Sequence, residues 1–292
     1  MPETCEVDAD LLRGWALPEP GSSKHSRGTA LVVGGSRSTP GAVILAGESV
    51  LRAGGGKLQV ATAESTAGQV SLALPEALVE GFPESGSGDV DPTACDDVVE
   101  LAQGTSVTLL GPGLLDPGAA ADLLEGIVPR LDAAVVIDAL GSAYVTRNRE
   151  GLRHVRGRCV LTLNHDELAK TLDLDAEDLG DDPVDAGLEL AATTGAVVLY
   201  GGSHKLVLTP DADCFRITVG GPGLGVSGSG DVQAGLVTGL LARGAGAVQA
   251  AVWAAYLHGA AGDDLAEEVG HVGFLAREIP PAVPGLLSRL GG

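Results

Sequence analysis

Apolar residues along this chain fall into two alternating patterns. Short, mainly apolar runs at Ala30–Val33, Leu58–Thr62, Val107–Leu110, Ala134–Ile137, Cys159–Thr162 and Ala196–Leu199 predict strands. Between them, stretches such as Ala42–Ala53 carry apolar residues (Val43, Ile44, Ala46, Val50, Leu51) at helical spacing. A strand apolar at every position is buried on both faces. The pattern therefore predicts a parallel sheet covered by helices on both sides. Lys205–Thr209 and Phe215–Val219 read as a hairpin around Pro210–Asp213. Residues 1–28 read as a lead-in with one amphipathic turn and a Pro/Gly/Ser stretch, and 29–290 as a single domain. Gly81–Asp97 reads as a surface loop, and Asp173–Asp185 as a solvated acidic face.

Glycine and polar residues cluster just after these strands. In open α/β sheets the ligand crevice lies at the carboxyl ends of the strands, so these loops are expected to form one site. Gly34–Gly41 lacks the Lys-Ser/Thr ending of a P-loop and the Gly-x-Gly-x-x-Gly spacing of a dinucleotide fold. The most informative segment is Gly228-Ser229-Gly230-Asp231. It leads into a helix marked by Val232, Leu236, Val237, Leu240 and Leu241. A helix start exposes unpaired N–H groups and partial positive charge, and glycine lets backbone approach a phosphate closely. An Asp in that first turn is placed to take a proton from an attacking hydroxyl. Taken alone, the four residues also read as a capped glycine-rich loop.

Composition narrows the class. The 292 residues are 45% hydrophobic but 3% aromatic, so the core must be Val, Leu and Ala. A formal net charge of −21 argues against nucleic-acid binding, although a nucleotide needs only a local positive pocket. Cys5, Cys95, Cys159 and Cys214 are scattered, with no zinc or disulfide spacing, and Cys159 reads as a buried thiol. No apolar run is long enough to span a membrane and no signal peptide is evident, so a cytoplasmic location is expected. A homo-oligomer stays open. His258 reads as a structural histidine on an Ala-rich helix.

The constellation is more specific than any one motif. Val33-Gly34-Gly35-Ser36 with Pro40-Gly41-Ala42, Arg52–Gly56, Gly111-Pro112-Gly113-Leu114, Asn164–Glu167, Gly228–Asp231 and Tyr256–Asp263 occur in that order. Over roughly residues 10–290 the chain resembles the nucleotide-dependent NAD(P)H-hydrate dehydratases of the ribokinase-like superfamily, which repair hydrated nicotinamide cofactors. The resemblance implies a central mostly parallel sheet with helices on both faces and no separate lid domain. It implies an anion hole and base at Gly228, Ser229, Gly230 and Asp231. It places NAD(P)HX against the loop Gly34–Ala42, Gly113, Asn164 and Asp231. ADP or ATP is expected along Tyr200-Gly201-Gly202-Ser203-His204 and Gly230. Mg²⁺ is expected near Asn164 and Glu167, through water. Without the resemblance, Asn164 and Glu167 equally read as a helix cap.

Three positions depart from the family pattern. Asp138-Ala139-Leu140-Gly141-Ser142 stands where many members have Asp-Ala-Asp-Ala-Leu, Tyr200-Gly201 where many have Lys-Gly, and Asn164-His165-Asp166-Glu167 where bacterial members often have His-Pro-Gly-Glu. The reading is an ADP-dependent dehydratase, with ATP as the other candidate donor. A small-molecule alcohol kinase of the hydroxymethylpyrimidine or thiazole type, and a non-catalytic nucleotide-binding paralogue, stay open beside it.

Overall fold

The computed structural model describes residues 4–180 and 182–292. Residues 1–3 of the lead-in and Asp181 of the acidic stretch lie outside the described residues. Ten strands form one sheet: β1 (Thr4–Glu6), β2 (Thr29–Val33), β3 (Lys57–Ala63), β4 (Ala77–Phe82), β5 (Val107–Leu110), β6 (Ala134–Asp138), β7 (Cys159–Asn164), β8 (Val197–Gly201), β9 (Lys205–Leu208) and β10 (Cys214–Ile217). Their spatial order is β1-β10-β9-β8-β7-β6-β5-β2-β3-β4. From β4 to β8 all pairings are parallel; β9 is antiparallel to both β8 and β10.

Side-chain alternation sorts the strands onto two apolar layers. Val32, Leu109, Val136, Val160, Leu199 and Val207 face one, which holds the helices Gly41–Arg52, Ser229–Ala242, Ala247–Glu268 and Ile279–Leu290. Leu31, Leu110, Ile137, Leu161, Val198 and Leu208 face the other, with Pro117–Ile127, His165–Leu172 and Val184–Thr194. Double coverage is what continuous apolar runs demand. Burial raises the Cys159 thiol, as expected for a packing residue.

The helix Ser229–Ala242 is buried along nearly its whole length. It packs on Gly41–Arg52 through Gly235 and Gly239. A Cβ at Gly235 would meet the Ala46 carbonyl and, at 2.6 Å, Ser49 Cβ; one at Gly239 would meet the Val50 carbonyl. The two helices approach closely because these positions carry no side chain.

Two sequence readings change. Gly81–Asp97 is not a free surface loop. It finishes β4, bridges Ser36 to Asp89 and Glu84 to Val90, and opens the helix Cys95–Ala102. Asp89 is buried and accepts N–H bonds from Leu115 and Asp116, both at 2.9 Å. That buried carboxylate ties the segment to the loop after β5, which composition alone cannot show. The lead-in contributes β1, paired in parallel with β10, and the helix Ala9–Gly14. The hairpin strand Phe215–Val219 lies at Cys214–Ile217. Among the described residues no helix is long and apolar enough to cross a membrane.

Candidate active site

The site begins where the helix Ser229–Ala242 starts. Its cap residue Gly228 has φ 90°, a left-handed conformation that suits glycine, and no side chain caps the helix. Gly230 and Asp231 therefore bring a helix start with its partial positive charge to the carboxyl edge of the sheet. Two cavities meet there, sharing Asn164, Gly201, Gly230 and Gln233 as walls.

The first, of about 280 Å³, is acidic. Asp138 closes β6, Asn164 closes β7, and Glu167 sits in the first turn after it. Asn164 and Glu167 form a reciprocal cap: the Glu167 N–H donates to Asn164 Oδ1 and the Asn164 N–H to Glu167 Oε2, each at 2.9 Å. The cap is therefore present, and the same two residues line the cavity. Burial, then the Glu167 charge, pushes Asp231 up to about 6. Asp138 is raised well above the carboxylate range by burial, then by the charges of Asp231 and Glu167; the Thr162 hydroxyl, donating to its Oδ1 at 2.6 Å, opposes this. Glu167 is raised by burial, against the Asn164 N–H. Asp138 thus holds its proton more tightly than an ordinary carboxyl, and Asp231, at about 6, is ionised at neutral pH and placed as the candidate base.

The carboxyl oxygens of Asp138, Glu167 and Asp231 on the wall of this cavity are hard donors of the kind Mg²⁺ takes. Among the described residues no three acidic, His or Cys side chains are grouped to ligate a metal directly. Phosphate and water oxygens would therefore have to complete its shell.

The second cavity, of about 700 Å³, is lined by Gly201, Gly202, Ser203, His204, Lys205, Gly220, Ser229 and His258, among others. The β8–β9 pairing sets Gly201 opposite Lys205 and Tyr200 opposite Leu206. Because facing alternates, Tyr200 turns to the other layer. It is buried there with its hydroxyl 3.1 Å from His165 Nδ1. Gly201–His204 thus lie on the cavity wall expected for nucleotide, while the Tyr200 ring does not. His204 is held by Arg216 Nη1, 2.7 Å from its Nε2.

His258 is fully buried, with Nε2 3.0 Å from the Ser229 carbonyl and 2.9 Å from its hydroxyl. A carbonyl only accepts, so Nε2 carries the hydrogen. Burial, then the Lys205 charge, depresses its pKa to about 3, so the ring is neutral. Its structural role lies at the site itself, bracing Ser229.

Ala42 and Gly113 also come together. The Thr39 hydroxyl donates to the Gly113 carbonyl at 2.6 Å, and a Cβ at Gly113 would lie 2.8 Å from Ala42 Cβ. Neither lines the two cavities, but Leu45, one turn beyond Ala42, abuts Gly228. Sequence reasoning missed three residues. Asp138 was recognisable as a polar strand end. Lys205 and Gln233 carried no local signal.

A carboxylate pair beside an uncapped helix start, at the carboxyl edge of a doubly covered sheet, defines the class: a ribokinase-like α/β protein. A ribokinase-like superfamily protein of Enterococcus faecalis V583 superposes with TM-score 0.84 over 98% of this chain and 96% of its own, at 23% identity. The family model described as NAD(P)H-hydrate dehydratase matches residues 30–284. An ADP-dependent (S)-NAD(P)H-hydrate dehydratase of Xanthomonas campestris pv. campestris is 42% identical over 99% of this chain and 98% of its own. A bifunctional NAD(P)H-hydrate repair enzyme of Moorella thermoacetica is 31% identical over 94% of this chain, which spans 52% of that relative's length. The chain belongs to the NAD(P)H-hydrate dehydratase family.

Proposed function

We propose that this chain regenerates NADH and NADPH from their 6-hydroxylated hydrates, using ADP as phosphate donor. The supporting observation is Asp231: a carboxylate pushed up to about 6, in the first turn of an uncapped helix, lining the acidic cavity next to Gly230, which borders both cavities. The 42% identical relative bears the name of this reaction.

Asp231 takes the proton of the ring 6-hydroxyl as that oxygen bonds to the terminal phosphorus of ADP. The bond to the bridging oxygen breaks and AMP leaves. The N–H groups at Gly230 and Asp231 face the charge gathering on the transferred phosphoryl. The new phosphate then leaves with the former hydroxyl oxygen, the adjacent ring carbon gives up a proton to water, and the electron pair of that C–H bond restores the ring double bond. Asp138, whose pKa burial and the neighbouring carboxylates raise, resists adding a further charge beside the phosphate. Ser229, braced by His258, fixes the turn. Mg²⁺ bound near Asn164 and Glu167 through water supplies neutralising charge for the phosphates. Ala42 and Gly113 hold the nicotinamide side, and Gly201–His204 the nucleotide side. Substrates of this kind fit a cytoplasmic location.

The test incubates the chain with (6S)-NADHX, Mg²⁺ and ADP or ATP, following NADH absorbance and phosphate release. Stoichiometric NADH and phosphate are expected, with higher kcat/KM for ADP. No NADH with either nucleotide overturns the dehydratase reading. A higher kcat/KM with ATP overturns the donor assignment.

A further inference from the structure

The larger cavity holds two buried donors that the site described above does not use. Lys205 is 7% exposed and Gln233 8% exposed, and both line it. Gln233 Nε2 is buried without a hydrogen-bond partner, and the charge facing the Lys205 ammonium is the Asp263 carboxylate. Leaving a buried donor unmade is costly, and a buried lysine more so. Burial lowers the Lys205 ammonium to about 8, with only the Asp263 carboxylate opposing.

Their placement follows from the fold. Lys205 opens β9 and shares the facing of Val207, toward the layer of the helix Ser229–Ala242. Gln233 lies one turn beyond Ser229 and Gly230 on that helix. Lys205 lies close enough to the imidazole that braces Ser229 to depress its pKa. Gly220 forms the adjacent wall, where a Cβ would lie 3.4 Å from Nζ. Two buried donors, one cationic, thus converge beside a helix start that attracts anions. In a chain of net charge −21 this is the local positive charge that a phosphate group requires.

We propose that Lys205 and Gln233 form a phosphate-binding wall that makes this cavity select a nucleoside diphosphate over the bare nucleoside. The cation at this wall comes from β9, reaching the cavity from a position that faces it, whereas residue 200 faces away. This rests on the nucleotide-dependent reading above and names residues that hold the nucleotide.

The test measures affinities of the wild type, Lys205→Met and Gln233→Leu for ADP, inorganic phosphate and adenosine, each with Mg²⁺. Folding is checked by the unliganded thermal midpoint. Losing a charge-assisted hydrogen bond is expected to weaken ADP about 10–100-fold in Lys205→Met, and losing a neutral one about 3–10-fold in Gln233→Leu. Adenosine affinity is expected to stay unchanged, and phosphate to weaken with ADP. Lys205→Arg, retaining charge, is expected to recover part of the loss. If the wild type binds ADP no better than adenosine, both this proposal and the nucleotide-dependent reading fall. If the wild type discriminates and both variants discriminate equally well, only the wall is overturned. Equal weakening of adenosine and ADP also overturns it, since that marks a packing role.

Discussion

The two cavities at the start of the helix Ser229–Ala242 are built on opposite electrostatics. One gathers Asp138, Glu167 and Asp231, whose mutual repulsion and burial keep protons bound unusually tightly. The other gathers Lys205, Gln233 and a neutral His258 around a larger space. Each half alone is unfavourable: crowded carboxyls resist ionisation, and burial of the Lys205 ammonium is only partly offset by Asp263. Together they can receive a hydroxyl to be deprotonated on one side and an anion on the other. The helix start between them contributes backbone N–H groups to both. The contrast puts a buried cation beside a helix start in a strongly acidic chain, local positive charge without a basic surface.

The largest effect expected from breaking the acidic half is in Asp231→Asn. Loss of a general base costs about 10²–10⁴ in kcat, with ADP affinity retained. Near-normal turnover would remove Asp231 from the mechanism. The same variant has a signature in stability. The Asp231 pKa is higher folded, about 6, than its ordinary 3.8. The protonated carboxyl's contribution is therefore complete below about pH 4 and is lost as pH rises through about 6. At pH 7 Asp231→Asn should be more stable than the wild type, on the order of 2–3 kcal/mol, and the gain should vanish below about pH 4. Urea melts at both pH values check it. Equal stabilities at neutral pH would contradict the burial argument.

Glu167→Gln sharpens the same half through pH. The wild-type kcat/KM should fall as pH drops through about 6, where Asp231 takes up a proton. Removing the Glu167 charge lowers the Asp231 pKa, so this limb should move to more acidic pH, whatever the change in maximal rate. A limb that stays in place would separate Glu167 from Asp231.

Gly239→Ala tests the support beneath both halves. Its Cβ would press on the Val50 carbonyl, and overpacking of this kind costs about 1–3 kcal/mol. Alanine's better helix propensity returns about 1 kcal/mol, so net destabilisation at the low end is expected, read by denaturant melts. A more stable variant would show that the two helices can part cheaply. The smallest change is Tyr200→Phe. It removes the hydroxyl beside His165, worth about 1 kcal/mol of stability, and should leave KM for ADP unchanged. A raised KM would place residue 200 on the nucleotide side after all.

The local chemistry of the site was legible from the chain. Gly228-Ser229-Gly230-Asp231 before a helical repeat already implies a base in an anion-attracting turn, because capping and glycine conformation act over a few residues. Asn164 and Glu167 were legible as a cap, and the structure shows that cap on the wall of the acidic cavity. The segment Gly81–Asp97 misled because its glycine and serine content hides Asp89, whose partners lie at 115 and 116.

By itself the sequence determined the strands, the two-sided burial of the sheet and the turn carrying Asp231, since these depend on neighbours and on short periods. Tertiary structure alone decided which carboxyls share a cavity, how strongly each holds its proton, and which way residues 200 and 205 point. Asp138 meets Asp231 only because β6 ends beside a helix that starts far along the chain. Lys205 faces the larger cavity, and Tyr200 the opposite layer, because strand facing has a period of two and the β8–β9 register sets its phase. Charge and burial act through space, so their effect on a group emerges only when the chain has closed around it.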